Sequence, residues 1–402
     1  MSLKYTIRNF IRKHIPESAV RRYKLMHSTT YPIVKNPLEF FQPIYHIKDD
    51  TWEPLHMPEI FEMSKPYDLE VFHGRQDILL IPDAQVFDNS DIILAKNGVV
   101  WDKYYTRSFS KVQPMDRNYL AHTIDEVTLR NSEHNQNISG ECISMLGTFE
   151  GIWSHFLVQF LPKLYYAEEA GLLDKEGVTL LLPQYKDKQI EQLVNDVLCK
   201  HPNLVVLRVK DSENRVEYHC EKLYYIPTAS NISNHTYFAS FYDNVIPHRV
   251  REILKKNVVD SYVAKIRENE TQYEKIYFIR RSWRNATNIE EIERFFEKNG
   301  FYMVDLGTIS LEEKVDLMYH AKIIAGPASS AWSNVIFCNG CKGILLNTLS
   351  RVTDSFSRYL MSVGNVSTIM ITGYDEDKII HTNYAISMDD IKSVYKRLIM
   401  DC

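Results

Sequence analysis

The residue types best suited to chemistry lie where a predicted strand, KIIAG (322–326), passes directly into a predicted helix. Very small side chains fill this junction, and Ser329, Ser330 and Ser333 add hydroxyl donors. A helix N-terminus presents N–H groups and the positive end of the helix dipole, which favours a phosphate there. A tight packing turn would need the same small residues, and the segment matches neither G-x-G-x-x-G nor the P-loop pattern.

Three arginines follow another predicted strand of the same half of the chain. Arg280, Arg281 and Arg284 come at the end of KIYFIRRSWR (275–284). Because the carboxyl ends of parallel strands share one sheet edge, we expect these guanidinium groups to lie near the small-residue junction. Guanidinium groups bind phosphate oxygens bidentately, so the two features together predict a diphosphate site. Ion pairs with the nearby acids Glu290 and Glu291 are the competing role for one or two of the arginines.

A proton acceptor could come from the first half, in GTFEGIWSHFLVQFLPKLYY (147–166). His155 falls beside the apolar face of a predicted helix, Glu150 just precedes that helix, and Gln159 lies one turn after His155. A catalytic base and a hydrogen-bonded core histidine are both open interpretations of His155.

Two further patterns carry less weight. Asp375-Glu376-Asp377 has the D-x-D form with which metal-dependent sugar transferases hold Mn²⁺, but its position favours a solvated loop. Cys338 and Cys341 form a C-x-x-C without a second pair, so we expect no structural zinc.

The bulk composition restricts the class of protein. A chain of 402 residues is too long for one ordinary core, so we expect two domains, 1–240 and 241–402. The net charge of −5 argues against a nucleic-acid partner. Scattered cysteines indicate reduced thiols and a cytoplasmic location, and no apolar run reaches the ~20 residues of a membrane span.

The second domain shows regular alternation of strand and helix patterns, which predicts a parallel, Rossmann-like sheet covered on both faces. Ser310 with Glu313, and Asn288 with Glu291, have capping-box spacing at two helix starts. In the first domain, α/β alternation begins near residue 141, and Asn97-Gly98 predicts a hairpin turn. Residues 1–65 predict a basic helix followed by irregular chain interrupted by prolines.

The basic N-terminal segment, residues 1–25, carries seven lysines and arginines against one glutamate, with an apolar stripe between them. This composition is typical of an amphipathic helix that rests on an anionic membrane surface. A solvated helix packed on the body of the protein is the alternative.

The motifs, in their order along the chain, resemble glycosyltransferase family 61, including its bacterial capsular-polysaccharide members. HFLVQFLPKL (155–164) is similar to the family's H-W-x-x-x-x-x-P-R-L, and YFIRRSWRNATNIEE (277–291) is similar to its arginine loop and N-E-x-E. IAGPASSAWSN (324–334) is similar to I-x-G-P-H-G-A-G-L-x-N. The chain departs from the family where Ala328 replaces the histidine of H-G-A-G, Gln159 replaces an acidic residue, and Asn347 replaces a glutamate at a strand end.

The resemblance implies a GT-B fold, in which two Rossmann-like α/β domains face each other across a cleft. It also implies an inverting, metal-independent transfer of sugar, without a cofactor, from a nucleotide-sugar donor, which we expect to be UDP-linked. The acceptor would be a glycan or lipid-linked glycan of bacterial capsule or lipopolysaccharide synthesis, at the inner face of the cytoplasmic membrane. An inactive nucleotide- or glycan-binding relative is the alternative, and a dinucleotide oxidoreductase is disfavoured because it would need G-x-G-x-x-G.

The implied roles divide between the two domains. Glu150 and His155 are the candidate catalytic bases, on the acceptor side. The candidate donor-binding residues are Arg280, Arg281, Arg284, Gly326, Pro327, Ser329, Ser330, Ser333 and Asn334. The motif asparagine, Asn334, could instead hold the loop in place.

Overall fold

Two large sheets organise the chain, and the computed structural model describes it at residues 26–101, 116–132, 134–210, 215–230, 246–265, 273–281, 285–348, 366–374 and 384–400. The fold is mixed α/β, as expected from the sequence. Within those residues the strands are β1 (Ser28–Pro32), β2 (Gln42–Lys48), β3 (Thr51–Met57), β4 (Glu59–Ile60), β5 (Tyr67–His73), β6 (Gln76–Phe87), β7 (Ile93–Ala95), β8 (Gly98–Val100), β9 (Tyr119–His122), β10 (Glu126–Arg130), β11 (His134–Ser144), β12 (Val178–Pro183), β13 (Val205–Val209), β14 (Val216–Tyr225), β15 (Lys275–Phe278), β16 (Tyr302–Val304), β17 (Ile323–Pro327), β18 (Cys341–Thr348) and β19 (Val366–Gly373).

The helices alternate with the later strands. They are α1, composed of Trp153–His155, a π-helical Phe156–Phe160 and Leu161–Glu169; α2 (Lys188–Leu198); α3, composed of His248–Leu254, a π-helical Lys255–Val259 and Asp260–Val263; α4 (Ile289–Lys298); α5 (Leu311–His320); and α6 (Met388–Met400). Short 3₁₀ helices span Pro37–Glu39 and Ser330–Phe337. None of the helices found in the described ranges has the length and apolar character needed to cross a membrane.

The first large sheet has the order β13-β12-β11-β14-β6-β7-β8, with β2 added beside β6. Its strands β11 to β14 are parallel to one another, whereas β6, β7 and β8 run antiparallel to their neighbours. This confirms the alternation predicted from residue 141. The hairpin is also confirmed, but Ala95 pairs with Gly98, so the two turn residues are Lys96 and Asn97, one position before the predicted Asn97-Gly98. The carboxyl ends of β11, β12 and β13 therefore share one edge.

The second large sheet has the order β16-β15-β17-β18-β19-β4, and all of its pairings are parallel. Its first five strands belong to the strand–helix alternation that the sequence predicts for the second domain. The sixth strand, β4, comes from residues 59–60, far earlier in the chain, and pairs with β19 through Ile369 and Met370. A segment of the N-terminal half thus completes the edge of the C-terminal sheet.

The prediction of irregular chain before residue 65 is wrong for the part that the structure describes. Residues 28–60 form four strands, and each pairs with a partner outside this segment: β1 with β10, β2 with β6, β3 with β5, and β4 with β19. Pro43 and Pro54 lie inside strands, where their missing N–H groups weaken the local pattern. Pairing with distant strands outweighs these local signals.

Helix capping follows the sequence at one of the two predicted sites. At α5, Ser310 Oγ accepts from the Glu313 N–H at 3.1 Å, and the Glu313 carboxylate accepts from the Ser310 N–H at 2.9 Å, which confirms that capping box. At α4, Asn288 occupies the N-cap position but makes no cap hydrogen bond. Its amide donates to the Ile386 carbonyl at 2.9 Å instead, because α6 and its preceding segment pack beside α4. The capping box predicted there is wrong.

One apolar cluster runs continuously from the first sheet to the second. It includes Ile143 on β11, Leu157 on α1, Val258 on α3 and Leu345 on β18, all of them buried. Helix α3 lies between the halves and contacts both α1 and α5. Burial of this shared apolar surface holds the carboxyl edge of one sheet near elements of the other.

Gly326 permits the tight contact between β17 and β15. Its φ is +151°, and a Cβ atom there would lie 2.9 Å from both the Cβ and the carbonyl oxygen of Phe278. The glycine of the small-residue junction is therefore needed for packing between neighbouring backbones, whatever the junction binds.

We expect Gly326→Ala to lower the free energy of unfolding by about 3 kcal/mol, since it adds overpacking to an unfavourable φ. The matched control is Gly300→Ala, where φ is +80° but no atom lies within 4 Å of the added Cβ; it should cost about 1 kcal/mol. Urea denaturation of both variants measures the difference, and equal losses would contradict the steric explanation.

Candidate active site

The serine loop, residues 328–331, joins β17 to the 3₁₀ helix Ser330–Phe337. The Ala328 N–H donates to the Leu346 carbonyl at 2.8 Å, which ties the loop to β18. Ser329 and Ser330 are half-exposed, and Ser329 makes no side-chain cap hydrogen bond. At a helix start the first N–H groups have no acceptor within the helix, so the amides of Ser330 and Ala331 are available donors of the kind that bind anions.

Three other residues of this motif, Pro327, Ala328 and Ser333, point into the protein. Pro327 and Ala328 are buried. Ser333 is 2% exposed and its hydroxyl donates to the Ser330 carbonyl at 2.7 Å. A ligand at the loop would meet Ser329 and Ser330, whereas Ser333 stabilises the first turn of the helix.

Arg280 follows β15 and reaches the serine loop. Its Nη1 donates to the carbonyl of Ala328, and the side chain is half-buried. The Asn285 amide donates to the Arg280 carbonyl at 2.8 Å and fixes the backbone of the arginine segment. A permanent positive charge therefore lies one residue away from Ser329.

Arg281 points elsewhere. Its Nη1 donates to both carboxylate oxygens of Glu293, at 2.7 and 2.8 Å, and its side chain is 63% exposed. Glu293 lies on α4, so this pair resembles the predicted ion pairing in kind but uses a different acid from Glu290 or Glu291. Arg284 lies outside the described residues.

His155 lies in the first turn of α1, with its ring fixed by a glutamine. His155 Nδ1 and Gln159 Oε1 are 2.6 Å apart, and Gln159 Nε2 donates to the Ser230 carbonyl at 3.1 Å. Because a carbonyl can only accept, the amide must turn its nitrogen to Ser230 and its oxygen to His155. The neutral ring therefore carries its proton on Nδ1, and Nε2 holds the lone pair.

Trp153, two residues before His155, connects α1 with the serine loop. Its Nε1 donates to Asn334 Oδ1 at 2.9 Å, and Asn334 Nδ2 donates to the Ala331 carbonyl at 2.8 Å. Asn334 is 1% exposed. Both polar ends of Asn334 are thus committed to holding the loop against α1.

The face of the Trp153 ring meets a buried cation. Lys314 Nζ lies 3.8 Å from the ring centroid and donates to Gln189 Oε1, and the lysine is 2% exposed. Burial lowers the pKa of Lys314 to about 8, against the opposing influence of Asp187 and Asp305. No motif in the sequence includes this residue, although Lys314 occupies an apolar-stripe position of α5 together with Leu311, Val315 and Met318.

Glu150 lies in a different place, at the carboxyl edge of the first sheet. A cavity of about 420 Å³ opens beyond the ends of β11, β12 and β13, and its lining includes Phe149, Glu150, Tyr185, Lys186 and Lys210. Burial raises the pKa of Tyr185 well above its usual range, and the nearby Glu150 carboxylate raises it further. The Phe149 ring also lies 5.3 Å from the His155 ring, so His155 borders this cavity's wall.

The described residues contain no group of three or more histidine, cysteine or acidic side chains arranged to hold a metal ion. Asp375, Glu376 and Asp377, the D-x-D segment, lie outside the described residues. Cys338 and Cys341 are both buried thiols.

Residues 153–345 match the sequence model of the family described as Glycosyltransferase 61. This segment is a glycosyltransferase family 61 domain, and the protein is a glycosyltransferase. The match begins at Trp153 and includes the His155 helix, Arg280 and the whole serine loop. Glu150 lies three residues before its start. No curated protein gave a match to the chain.

The structure therefore assembles part of the candidate site of this glycosyltransferase. Arg280 and the serine loop are in direct contact, and Trp153 joins that loop to the turn that carries His155. Glu150 lines the cavity whose wall includes Phe149, beside the His155 ring, and Arg281 pairs with Glu293 on α4. No sequence pattern singled out Trp153 or Gln189, because their partners lie far away in the chain.

We expect Gln159→Glu to raise the pKa of His155, since a carboxylate beside Nδ1 stabilises the imidazolium. Gln159→Met, which removes the acceptor, should move it the other way. NMR titration of ¹³C-labelled histidine, assigned with His155→Asn, measures both shifts. Identical titration midpoints in the two variants would show that Gln159 does not interact with the ring.

Proposed function

We propose that this glycosyltransferase transfers a sugar, with inversion and without an obligate metal, from a UDP-linked or related nucleotide donor to a glycan acceptor. The observation that carries the proposal is the contact between the Arg280 guanidinium and the Ala328 carbonyl, at an exposed helix start. As the glycosidic bond breaks, negative charge develops on the leaving diphosphate. Without a metal, that charge needs fixed positive groups, and Arg280 with the amides of Ser330 and Ala331 supplies them.

The two sheets would have separate roles, in a GT-B arrangement with the donor on the second sheet and the acceptor on the first. Both sheets have parallel strands, and the candidate residues follow the carboxyl ends of β11, β15 and β17. Carboxyl ends of parallel strands are where ligands bind in such sheets. The cavity that Glu150 lines would then receive the acceptor glycan.

The acceptor hydroxyl must lose a proton during an inverting transfer, and we assign this proton to His155. The Gln159 amide holds the Nδ1–H tautomer, which places the lone pair of the base on Nε2. Glu150 is the second candidate, because its carboxylate lines the acceptor-side cavity.

The cellular role follows from the resemblance to capsular-polysaccharide enzymes. We propose that the protein acts in bacterial capsule or lipopolysaccharide synthesis, at the cytoplasmic face of the membrane, on a glycan or lipid-linked acceptor. The basic segment 1–25, which lies outside the described residues, would provide the membrane contact.

For the donor site, we expect Arg280→Ala to reduce the release of UDP from a UDP-sugar by about 100-fold, since one charge-stabilising group is lost. Arg281→Ala is the matched control and should change the rate less than about twofold, because its guanidinium is already paired with Glu293. The nucleotide is first chosen by a thermal-shift screen, since a tight ligand stabilises the folded state by mass action. Equal rates in the two variants would remove Arg280 from the donor site.

For the base, we expect His155→Asn to lower kcat by about 100-fold or more, while the thermal shift caused by UDP stays unchanged. Glu150→Gln should have a smaller effect, below about tenfold. Transfer assays with donor saturating measure kcat for both variants. The reverse order of effects would assign the base to Glu150.

A further inference from the structure

Lys314 is a charged residue in a place where its helix otherwise buries apolar side chains. It is 2% exposed, and the neighbouring stripe residues Leu311, Val315 and Met318 are completely buried. A methionine or leucine at this position would complete the stripe without bringing a charge into the interior. Burying an ammonium group costs several kcal/mol even after relaxation, so packing alone does not account for a lysine here.

The surroundings of Lys314 are built for an ammonium group. Gln189 Nε2 donates to the carbonyls of Ile309, at 2.6 Å, and Leu306, at 3.3 Å. These two acceptors fix the orientation of the amide, so its oxygen must face Lys314. The indole of Trp153 covers the ammonium at 3.8 Å, a distance at which the negative ring face attracts a cation.

We propose that Lys314 is a positioning residue of the transferase: its ammonium holds the Trp153 ring, and thereby the turn bearing His155, against the serine loop. This inference rests on the proposed function for its effect on catalysis. The connection is short, because Trp153 bonds to Asn334 and Asn334 bonds to the Ala331 carbonyl. Lys314 therefore sets the distance between the proton acceptor and the donor's diphosphate without touching either substrate.

We expect Lys314 to change its charge within the pH range in which enzyme activity is measured. The charged groups that face it are Asp187, at the start of α2, and Asp305, before α5; both favour the ammonium form, while burial opposes it and brings the pKa to about 8. Above this pH the cation, and with it the attraction to the indole, is lost. Between pH 8, near the pKa of Lys314 in the folded state, and pH 10.5, its ordinary pKa, the unfolded chain binds more protons than the folded one. The contribution of Lys314 to the free energy of unfolding therefore rises with pH in this range. Activity and stability should thus change in opposite directions.

The test compares Lys314→Met with the wild-type chain over pH 6 to 10. We expect the wild-type kcat to fall about tenfold with a midpoint near pH 8, and the variant to have the low kcat throughout, with its KM for the donor changed less than twofold. The matched control is Lys275→Met, since Lys275 also lies near aromatic rings, 5.5 Å from that of Tyr395 and hydrogen-bonded to its hydroxyl at 3.0 Å, but at the opposite edge of the sheet. It should keep the wild-type pH profile.

A second measurement needs no activity. The fluorescence of Trp153, taken as the difference between the wild type and Trp153→Phe, should titrate with the same midpoint and should not titrate in Lys314→Met. If the fluorescence does not change near pH 8, or if Lys314→Met retains the wild-type pH–rate profile, the inference is wrong. Should Lys314→Met fail to fold, matching midpoints of kcat and fluorescence in the wild type would support the inference, and differing midpoints would overturn it. Absence of transfer by the wild type would count against the proposed function, while the fluorescence titration would still decide whether Lys314 acts on Trp153.

Discussion

The hydrogen bond from Trp153 to Asn334 is the contact on which the arrangement of the candidate site depends. It joins the first turn after one sheet to the first turn after the other, and it is buried on both sides. Such a bond contributes about 1 kcal/mol by itself, but leaving either partner unsatisfied costs about 1–3 kcal/mol. The apolar cluster that spans the two sheets supplies the bulk of the stability, and the polar bond selects one relative placement of the two turns.

Few groups at this site could stabilise negative charge on a ligand. Arg280, the amides at the helix start and the hydroxyls of Ser329 and Ser330 are all short-range donors, and Ser329 stands where the family resemblance places the first glycine of H-G-A-G. Ala328 stands where that motif has a histidine, and the Ala328 carbonyl accepts a hydrogen bond from the Arg280 guanidinium. An arginine that follows a neighbouring strand thus places a positive charge next to the serine loop.

The side chain that holds His155 Nδ1, Gln159, is neutral. A carboxylate at position 159 would stabilise the imidazolium and make the ring a stronger base that is more often already protonated. Gln159 fixes the same tautomer without adding a charge, because the Ser230 carbonyl orients its amide. Gln159 thus orients the imidazole without placing a charge beside it.

The sequence by itself determined the elements whose signals are local. The alternation of strands and helices from residue 141, the hairpin turn before Gly98 and the capping box at Ser310 are all present, since each depends on residues a few positions apart. The order of the motifs also indicated the family, because each motif, including the one with Arg280 and the one that forms the serine loop, is a short continuous stretch of the sequence. Only the tertiary structure decided that Asn288 bonds to Ile386, that Arg281 belongs to Glu293, and that Trp153 lies between Lys314 and Asn334. These contacts join residues that are up to 181 positions apart, and which partner a buried polar group finds depends on how the elements pack. Local sequence patterns therefore do not predict these partners.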